Sequence, residues 1–203
     1  MTPRPEPQVV QDPPEALHER AADDLRFIRD TMERATSFTG LSGRGYVAVG
    51  VTAIAAAWLA SRQASPGAWL LVWMLELPLA ATLAVGLTAR KARSQGGSLG
   101  FHMGRRLLLA FSPPMAVGAL LTAALYPGGE VGLLPGVWLG LYGAGVMTGG
   151  AYSVRVIPVM GAAFIALAGV ALLTTLPGDL LLGLGFGGLH VVFGLIVWSR
   201  YGG

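Results

Sequence analysis

Two ionisable residues, Glu76 and His190, lie inside long apolar stretches of the sequence. An ionisable side chain at the centre of a bilayer costs about 2.5–3.5 kcal/mol on insertion scales, so each residue is a candidate for function. With a helical rise of about 1.5 Å per residue, both residues are expected at a similar depth below the same surface. The sequence therefore predicts an intramembrane polar pair, which would relay protons, bind a cation or simply clasp two helices.

A second feature that bears on chemistry is Ser112-Pro113-Pro114, which interrupts the third apolar stretch. Each proline lacks a backbone N–H group and crowds the preceding turn, so two in succession predict a break or a kink in the helix. Broken helices at membrane depth often line a site for an ion or a substrate. The simpler alternative is a plain kink whose freed carbonyl groups are satisfied by Ser112.

The remaining inventory argues against an enzyme. The chain has no cysteine, which excludes thiolate metal sites and cysteine nucleophiles. The other two histidines, His18 and His102, fall outside the apolar stretches, so they are not placed to join His190 as ligands of a haem or a zinc ion. Glycines at spacings such as Gly183 to Gly187 predict close helix packing and do not resemble a phosphate loop. We expect no cofactor, no metal and no catalytic residue.

Composition indicates that a lipid bilayer surrounds these residues. The 203-residue chain is 53% hydrophobic and 12% charged, whereas a soluble domain carries about 25% charged residues. Of its 11 acidic residues, only Glu76, Glu130 and Asp179 lie beyond position 33. Spans near the roughly 20 residues needed to cross hydrocarbon are predicted at about 45–61, 68–89, 105–126, 132–149, 154–175 and 180–199. The predicted fold class is therefore all-α, a polytopic bundle of six transmembrane helices within residues 45–200.

The connections between the spans predict three helical hairpins. Because consecutive spans are joined by short connections, the helices of each pair must run antiparallel. Each returning helix begins near a Pro-Gly pair, and proline is favoured in a first helical turn: these pairs are Pro66-Gly67, Pro135-Gly136 and Pro177-Gly178. Residues 45–73 also align without gaps to 156–184, which pairs Gly50 with Gly161. We interpret these matches as a parallel repeat of one hairpin.

The basic residues predict the orientation of the bundle. With the N-terminus in the cytoplasm, all of the 14 Lys and Arg residues except Arg62 lie on the cytoplasmic side, as the positive-inside rule requires. Both termini are therefore predicted to be cytoplasmic. The basic residues between the second and third spans are expected to contact anionic lipid, so the positive net charge gives no reason to predict binding of nucleic acid.

The chain before the first span is polar. Residues 1–14 are Pro-rich and predicted to be disordered, and residues 15–40 predict an amphipathic cytoplasmic helix. The apolar residues of this helix form one narrow seam, with alternating spacings of four and three residues: Ala21, Leu25, Ile28, Met32 and Ala35. The helix either lies at the lipid headgroups or on the face of the bundle, or it docks a protein partner or a second copy of the chain.

The stretch LRFIRDTMERA at 25–35 resembles the start of a family of uncharacterised bacterial six-span membrane proteins, and the segments 135–139 and 185–190 are similar too. This resemblance implies a bacterial inner-membrane location and brings no activity with it. From the residues themselves, the first hypothesis is a non-enzymatic bundle that docks or regulates a partner. The alternative is a small transporter or proton-coupled permease that uses Glu76 and His190.

Overall fold

A computed structural model describes residues 20, 22–28, 42–94, 101–150 and 153–201. The predicted disordered arm lies outside these residues, as does most of the predicted N-terminal helix. The chain divides into two compact units, Met1–Ser37 and Phe38–Gly203, which are described separately. In the first unit, residues 22–28 are helical and form helix α1.

The second unit contains six long helices and, among its described residues, no β-strand. All six are long and apolar enough to cross a membrane, which confirms the predicted all-α, six-span class and is the architecture of a multi-pass membrane protein. The helices are α2 (Gly43–Ala60), α3 (Pro66–Ser94), α4 (Phe101–Leu125), α5 (Leu134–Gly150), α6 (Val156–Leu173) and α7 (Gly178–Tyr201). Helix α7 changes to π-helical geometry over Gly183–Leu189 before it continues as α-helix.

Local sequence explains where the helices begin. The Ser42 side chain accepts a hydrogen bond from the backbone N–H of Gly45 at 3.2 Å, which caps α2. Ser65 does the same for α3 through the backbone N–H of Ala68, again at 3.2 Å, and Pro66 is the first residue of that helix. The helices extend past two of the predicted spans, because α3 continues to Ser94 and α4 already begins at Phe101.

The helices of the second unit pack in the order α3, α2, α7, α6, α5, α4. Helix α2 packs between α3 and α7, and α5 packs between α4 and α6, while α7 joins the two groups through α5 and α6. The outermost helices are the least buried: 6% of the span residues of α3 and 11% of those of α4 are buried, against 44% for α2. Their exposed apolar side chains fit contact with lipid hydrocarbon.

The core lies where α5, α6 and α7 meet. Its fully buried side chains include Leu139 of α5, Met160 and Phe164 of α6, and Leu181 and Val197 of α7. Because α6 and α7 follow each other in the chain and α5 belongs to the preceding hairpin, this core joins two of the three hairpins.

Glycines lie at the closest helix contacts, and the alignment of the repeat pairs two of them. A Cβ atom on Gly50 of α2 would lie 2.7 Å from the carbonyl oxygen of Gly187 in α7. A Cβ atom on Gly161 of α6 would lie 2.8 Å from the carbonyl oxygen of Gly143 in α5. No larger residue fits at either position without moving a backbone, so the aligned glycines have the same role in two different helix pairs.

The predicted break at Pro113-Pro114 is not formed. Helix α4 is continuous from Phe101 to Leu125 and contains both prolines. The break was wrongly predicted, because the fixed φ of proline is itself helical and the cost of a proline is a lost hydrogen bond and some crowding. In hydrocarbon, a full break would leave further backbone groups without partners, and continuing the helix avoids that cost. The alternative of a plain kink at these prolines stays a prediction.

Candidate functional site

His190 lies in the core of the bundle, directly after the π-helical segment Gly183–Leu189, and is only 2% exposed. Its Nε2 is 2.7 Å from the hydroxyl of Tyr142 in α5. Its Nδ1 has no hydrogen bond of ordinary geometry, although the carbonyl groups of Gly185 and Phe186 approach the ring. A neutral imidazole protonated on Nδ1 satisfies this arrangement, because its Nε2 then accepts the Tyr142 hydroxyl.

Aromatic rings surround the imidazole on several sides. Tyr46 of α2 stacks on it with a centroid distance of 5.8 Å, and Phe186 of α7 lies nearly parallel to it at 6.3 Å. Phe164 of α6 approaches edge-on at 5.5 Å. Together with Tyr142, these rings come from α2, α5, α6 and α7, so His190 stands at the meeting point of four helices. Such packing fixes the orientation of the imidazole.

Glu76 is another buried ionisable residue, and it lies between α3 and α2. The hydroxyl of Thr52 donates a hydrogen bond to Oε1 of Glu76 at 2.8 Å, and the Glu76 side chain is 8% exposed. No other helix supplies a hydrogen bond to this carboxyl group among the described residues. The contact therefore ties the two helices of the first hairpin.

The structure does not join Glu76 to His190 by a hydrogen bond or an ion pair. Both residues face α2, but they contact residues that point in different directions from that helix, Thr52 and Tyr46. Helix α2 thus separates the two groups that the sequence placed at one depth. Within the described residues, no three His, Asp or Glu side chains come close enough together to hold a metal ion.

The candidate docking seam is described only in part. Leu25 and Ile28 lie on α1 and are 67% and 52% exposed. The other seam residues, Ala21, Met32 and Ala35, lie outside the described residues. An ion pair on the surface of the same helix joins Arg26 to Asp23 at 2.8 Å. These charged side chains lie next to Leu25 and Ile28 in the sequence.

The sequence reasoning missed a cavity at the end of the bundle that carries the connections within the three hairpins, which we call the turn end. The cavity has a volume of about 330 Å³ and is lined by residues of all three hairpins, among them Pro66, Trp69, Pro135, Gly178 and Asp179. The indole Nε1–H of Trp69 donates a hydrogen bond to Oδ1 of Asp179 at 2.6 Å. The Pro-Gly pairs marked each turn, but no pattern in the sequence shows that the turns meet.

Tyr142 was also missed as the partner of His190. The available signal was a single tyrosine among the glycines of the fourth span, at a depth where a phenol needs a hydrogen-bond partner.

No protein-family model, no curated protein and no solved structure matches the chain.

Proposed function

We propose that this protein is a non-enzymatic bundle of the bacterial inner membrane that docks a protein partner on the cytoplasmic side through its N-terminal helix. The observation that carries the proposal is the exposure of three large apolar side chains on α1: Leu25 and Phe27 are each 67% exposed and Ile28 is 52% exposed. Apolar surface in water costs about 25 cal/mol per Å², so a helix that presents three such side chains favours a covering surface.

The charges of α1 and of Arg20 just before it favour a protein over the lipid surface as that covering partner. Helices that lie on membranes are usually rich in Lys and Arg, whereas the described residues of this segment carry Arg20, Asp23, Asp24 and Arg26, with no net charge. A mixed-charge rim around an apolar centre is typical of protein interfaces. In this proposal, His190 and Glu76 have a structural role, because their hydrogen bonds join helices of the bundle to each other. The bundle then serves as the membrane scaffold that carries α1.

The proposal is tested by affinity purification of the full chain in mild detergent. We expect one partner in stoichiometric amount, and we expect Leu25→Asp or Ile28→Asp to abolish its recovery, because a carboxylate cannot be buried in an apolar interface without a compensating partner. Asp24→Asn is the matched control, since it also changes the charge by one unit at a neighbouring exposed position.

Two results would contradict docking through α1. One is a monodisperse monomer that recovers no partner. The other is a partner that all three variants retain, which would place the interface elsewhere on the protein. Light scattering of the purified complex separates a foreign partner from a second copy of the chain.

A small transporter or proton-coupled permease is the second candidate, and the burial of His190 directly after a π-helical segment favours it. π-Helical turns within α-helices occur frequently at functional sites. In liposomes under a proton gradient, this candidate predicts a flux that Glu76→Gln and His190→Ala reduce by tenfold or more. An unchanged flux in both variants would refute it.

A further inference from the structure

Two contacts of the same kind join the three hairpins to each other. In each of them the second helix of one hairpin packs on the first helix of another: α7 packs on α2, and α5 packs on α6. The helices of both pairs are antiparallel. The aligned glycines Gly50 and Gly161 lie at the closest points of these two contacts.

A further pair of aligned residues shows that the two contacts match in register. A Cβ atom on Gly194 of α7 would lie 2.8 Å from the backbone nitrogen of Val47 in α2. A Cβ atom on Gly150 of α5 would lie 3.0 Å from the backbone nitrogen of Pro158 in α6, and the repeat aligns Pro158 with Val47. The two contacts are therefore copies of one interface between hairpins.

The third copy of this interface is not made within the chain. It would join α3, the remaining second helix, to α4, the remaining first helix, and the described residues of these two helices have no comparable contact. Only six residues separate Ser94 at the end of α3 from Phe101 at the start of α4, so these two ends lie within about 25 Å of each other. Helices α3 and α4 thus border one open side of the bundle.

The positions that would form the missing interface are exposed on both helices. When residues are counted from the Pro-Gly pair of each turn, Ala81 of α3 corresponds to Gly150 of α5. By the same count, Ala116 of α4 corresponds to Val47 and Pro158. Both alanines are exposed. The protein therefore carries both halves of an interface that it forms twice elsewhere, and it leaves both halves uncovered.

We propose that two copies of the chain associate in the membrane through this open side, with α3 of each copy packed on α4 of the other. Two copies with the same orientation in the membrane are related by a twofold axis along the membrane normal, so each contact is antiparallel like the two internal ones. A twofold dimer forms the missing interface twice and leaves neither half over. The attraction is the van der Waals packing that joins helices in lipid.

The first experiment uses the absence of cysteine in the chain. One tagged copy carries Ala81→Cys, a differently tagged copy carries Ala116→Cys, and both are oxidised together in native membranes with copper phenanthroline. We expect a disulfide-linked dimer that contains both tags, because a disulfide forms only when the two Cβ atoms come within about 4 Å.

Val117→Cys is the matched control for Ala116→Cys. Val117 is also exposed, lies at nearly the same depth and points about 100° away around α4. We expect it to give at least about fivefold less linked dimer with Ala81→Cys, because the disulfide geometry is strict. Equal yields from the two partners would overturn the proposal, since they would indicate random collision.

A single chain that carries both Ala81→Cys and Ala116→Cys separates a second copy from closure of α3 on α4 within one molecule. We expect this variant to form linked dimers. A monomer in which the two cysteines are joined to each other would overturn the proposal.

The second experiment measures association without a cross-link. Full-length copies labelled at the C-terminus with a donor or an acceptor dye are diluted with lipid in liposomes, and energy transfer reports the dimer. We expect Ala116→Trp to weaken association at least about tenfold, which corresponds to 1.4 kcal/mol. Ala55→Trp, at an exposed alanine of α2, should leave it unchanged, and both variants should fold because both sites are exposed in the single chain.

Two results of this experiment would overturn the proposal: no energy transfer for the unaltered protein, or a dimer that Ala116→Trp leaves intact. Native mass spectrometry from the same liposomes counts the copies in the complex. Two copies support the proposal, and one copy bound to a foreign chain overturns it.

Discussion

Four hydrogen bonds between polar side chains run from one long helix of this bundle to another. In hydrocarbon such bonds contribute about 0.6–2 kcal/mol each. They join α2 to α3, α4 to α5, α5 to α7, and α3 to α7: Thr52 to Glu76, Trp138 to Thr122, Tyr142 to His190, and Trp69 to Asp179. These polar contacts link five of the six long helices into one network of pairs.

The Tyr142–His190 hydrogen bond is the most deeply buried of these contacts, so its loss is expected to be measurable. Tyr142→Phe leaves Nε2 of His190 without a partner, and we expect a loss of about 1–3 kcal/mol in the free energy of unfolding. Unfolding in mixed micelles of SDS and mild detergent measures it. Tyr126→Phe, at an exposed tyrosine, is the control and should change stability by less than about 0.5 kcal/mol. Equal effects of the two substitutions would argue against a contribution from this bond.

The sequence identified His190 and Glu76 as buried but misjudged their partners. The depth of a residue in the membrane can be estimated by counting residues from the end of its helix, because each residue adds about 1.5 Å. The direction of a side chain around the helix axis depends on how neighbouring helices pack, and no count of residues determines it. Glu76 and His190 thus contact different residues of α2, Thr52 and Tyr46, a separation around the helix that depth alone does not show.

At the scale of the helices, glycines at a spacing of seven residues set the closest contacts. Helix α2 carries Gly43 and Gly50, and α7 carries Gly187 and Gly194 on the facing side. A spacing of seven keeps residues on one side of a helix, so the two backbones remain close over about two turns. The close approach increases van der Waals contact, which is the main attraction between helices in lipid.

We expect Gly50→Ala to destabilise the bundle by about 1–3 kcal/mol, because the new methyl group overpacks the contact with α7. A Cβ atom there would lie 2.7 Å from the carbonyl oxygen of Gly187. Gly86→Ala is the matched control, since a Cβ atom on Gly86 of α3 meets nothing within 4 Å and alanine favours helix over glycine by up to about 1 kcal/mol. Thermal unfolding in detergent measures both. A Gly50→Ala variant as stable as the control would contradict the packing role of Gly50.

At the scale of the whole molecule, the number of helices and their pairing into hairpins could be predicted, because hydrocarbon thickness and Pro-Gly turns both leave strong local signals. The neighbours of each hairpin could not be predicted. Helix α2 packs on α7, the last helix of the chain, through single glycines in a chain that contains 30 of them. Composition hides such a pairing, because glycines such as Gly86 and Gly169, which meet nothing within 4 Å, look the same in the sequence as those at a close contact.

The π-helical segment of α7 changes the direction in which residues before and after it point around the helix axis. A π-helical turn holds one residue more than an α-helical turn, and one residue corresponds to a rotation of about 100°. Before the π-helical segment Gly183–Leu189, Leu181 is buried in the core. After this segment, His190 contacts Tyr142 of α5 and Gly194 contacts α2. In an uninterrupted α-helix of the same sequence, one of these halves would be turned away from its neighbour. The extra residue therefore sets the angular offset between the two ends of α7.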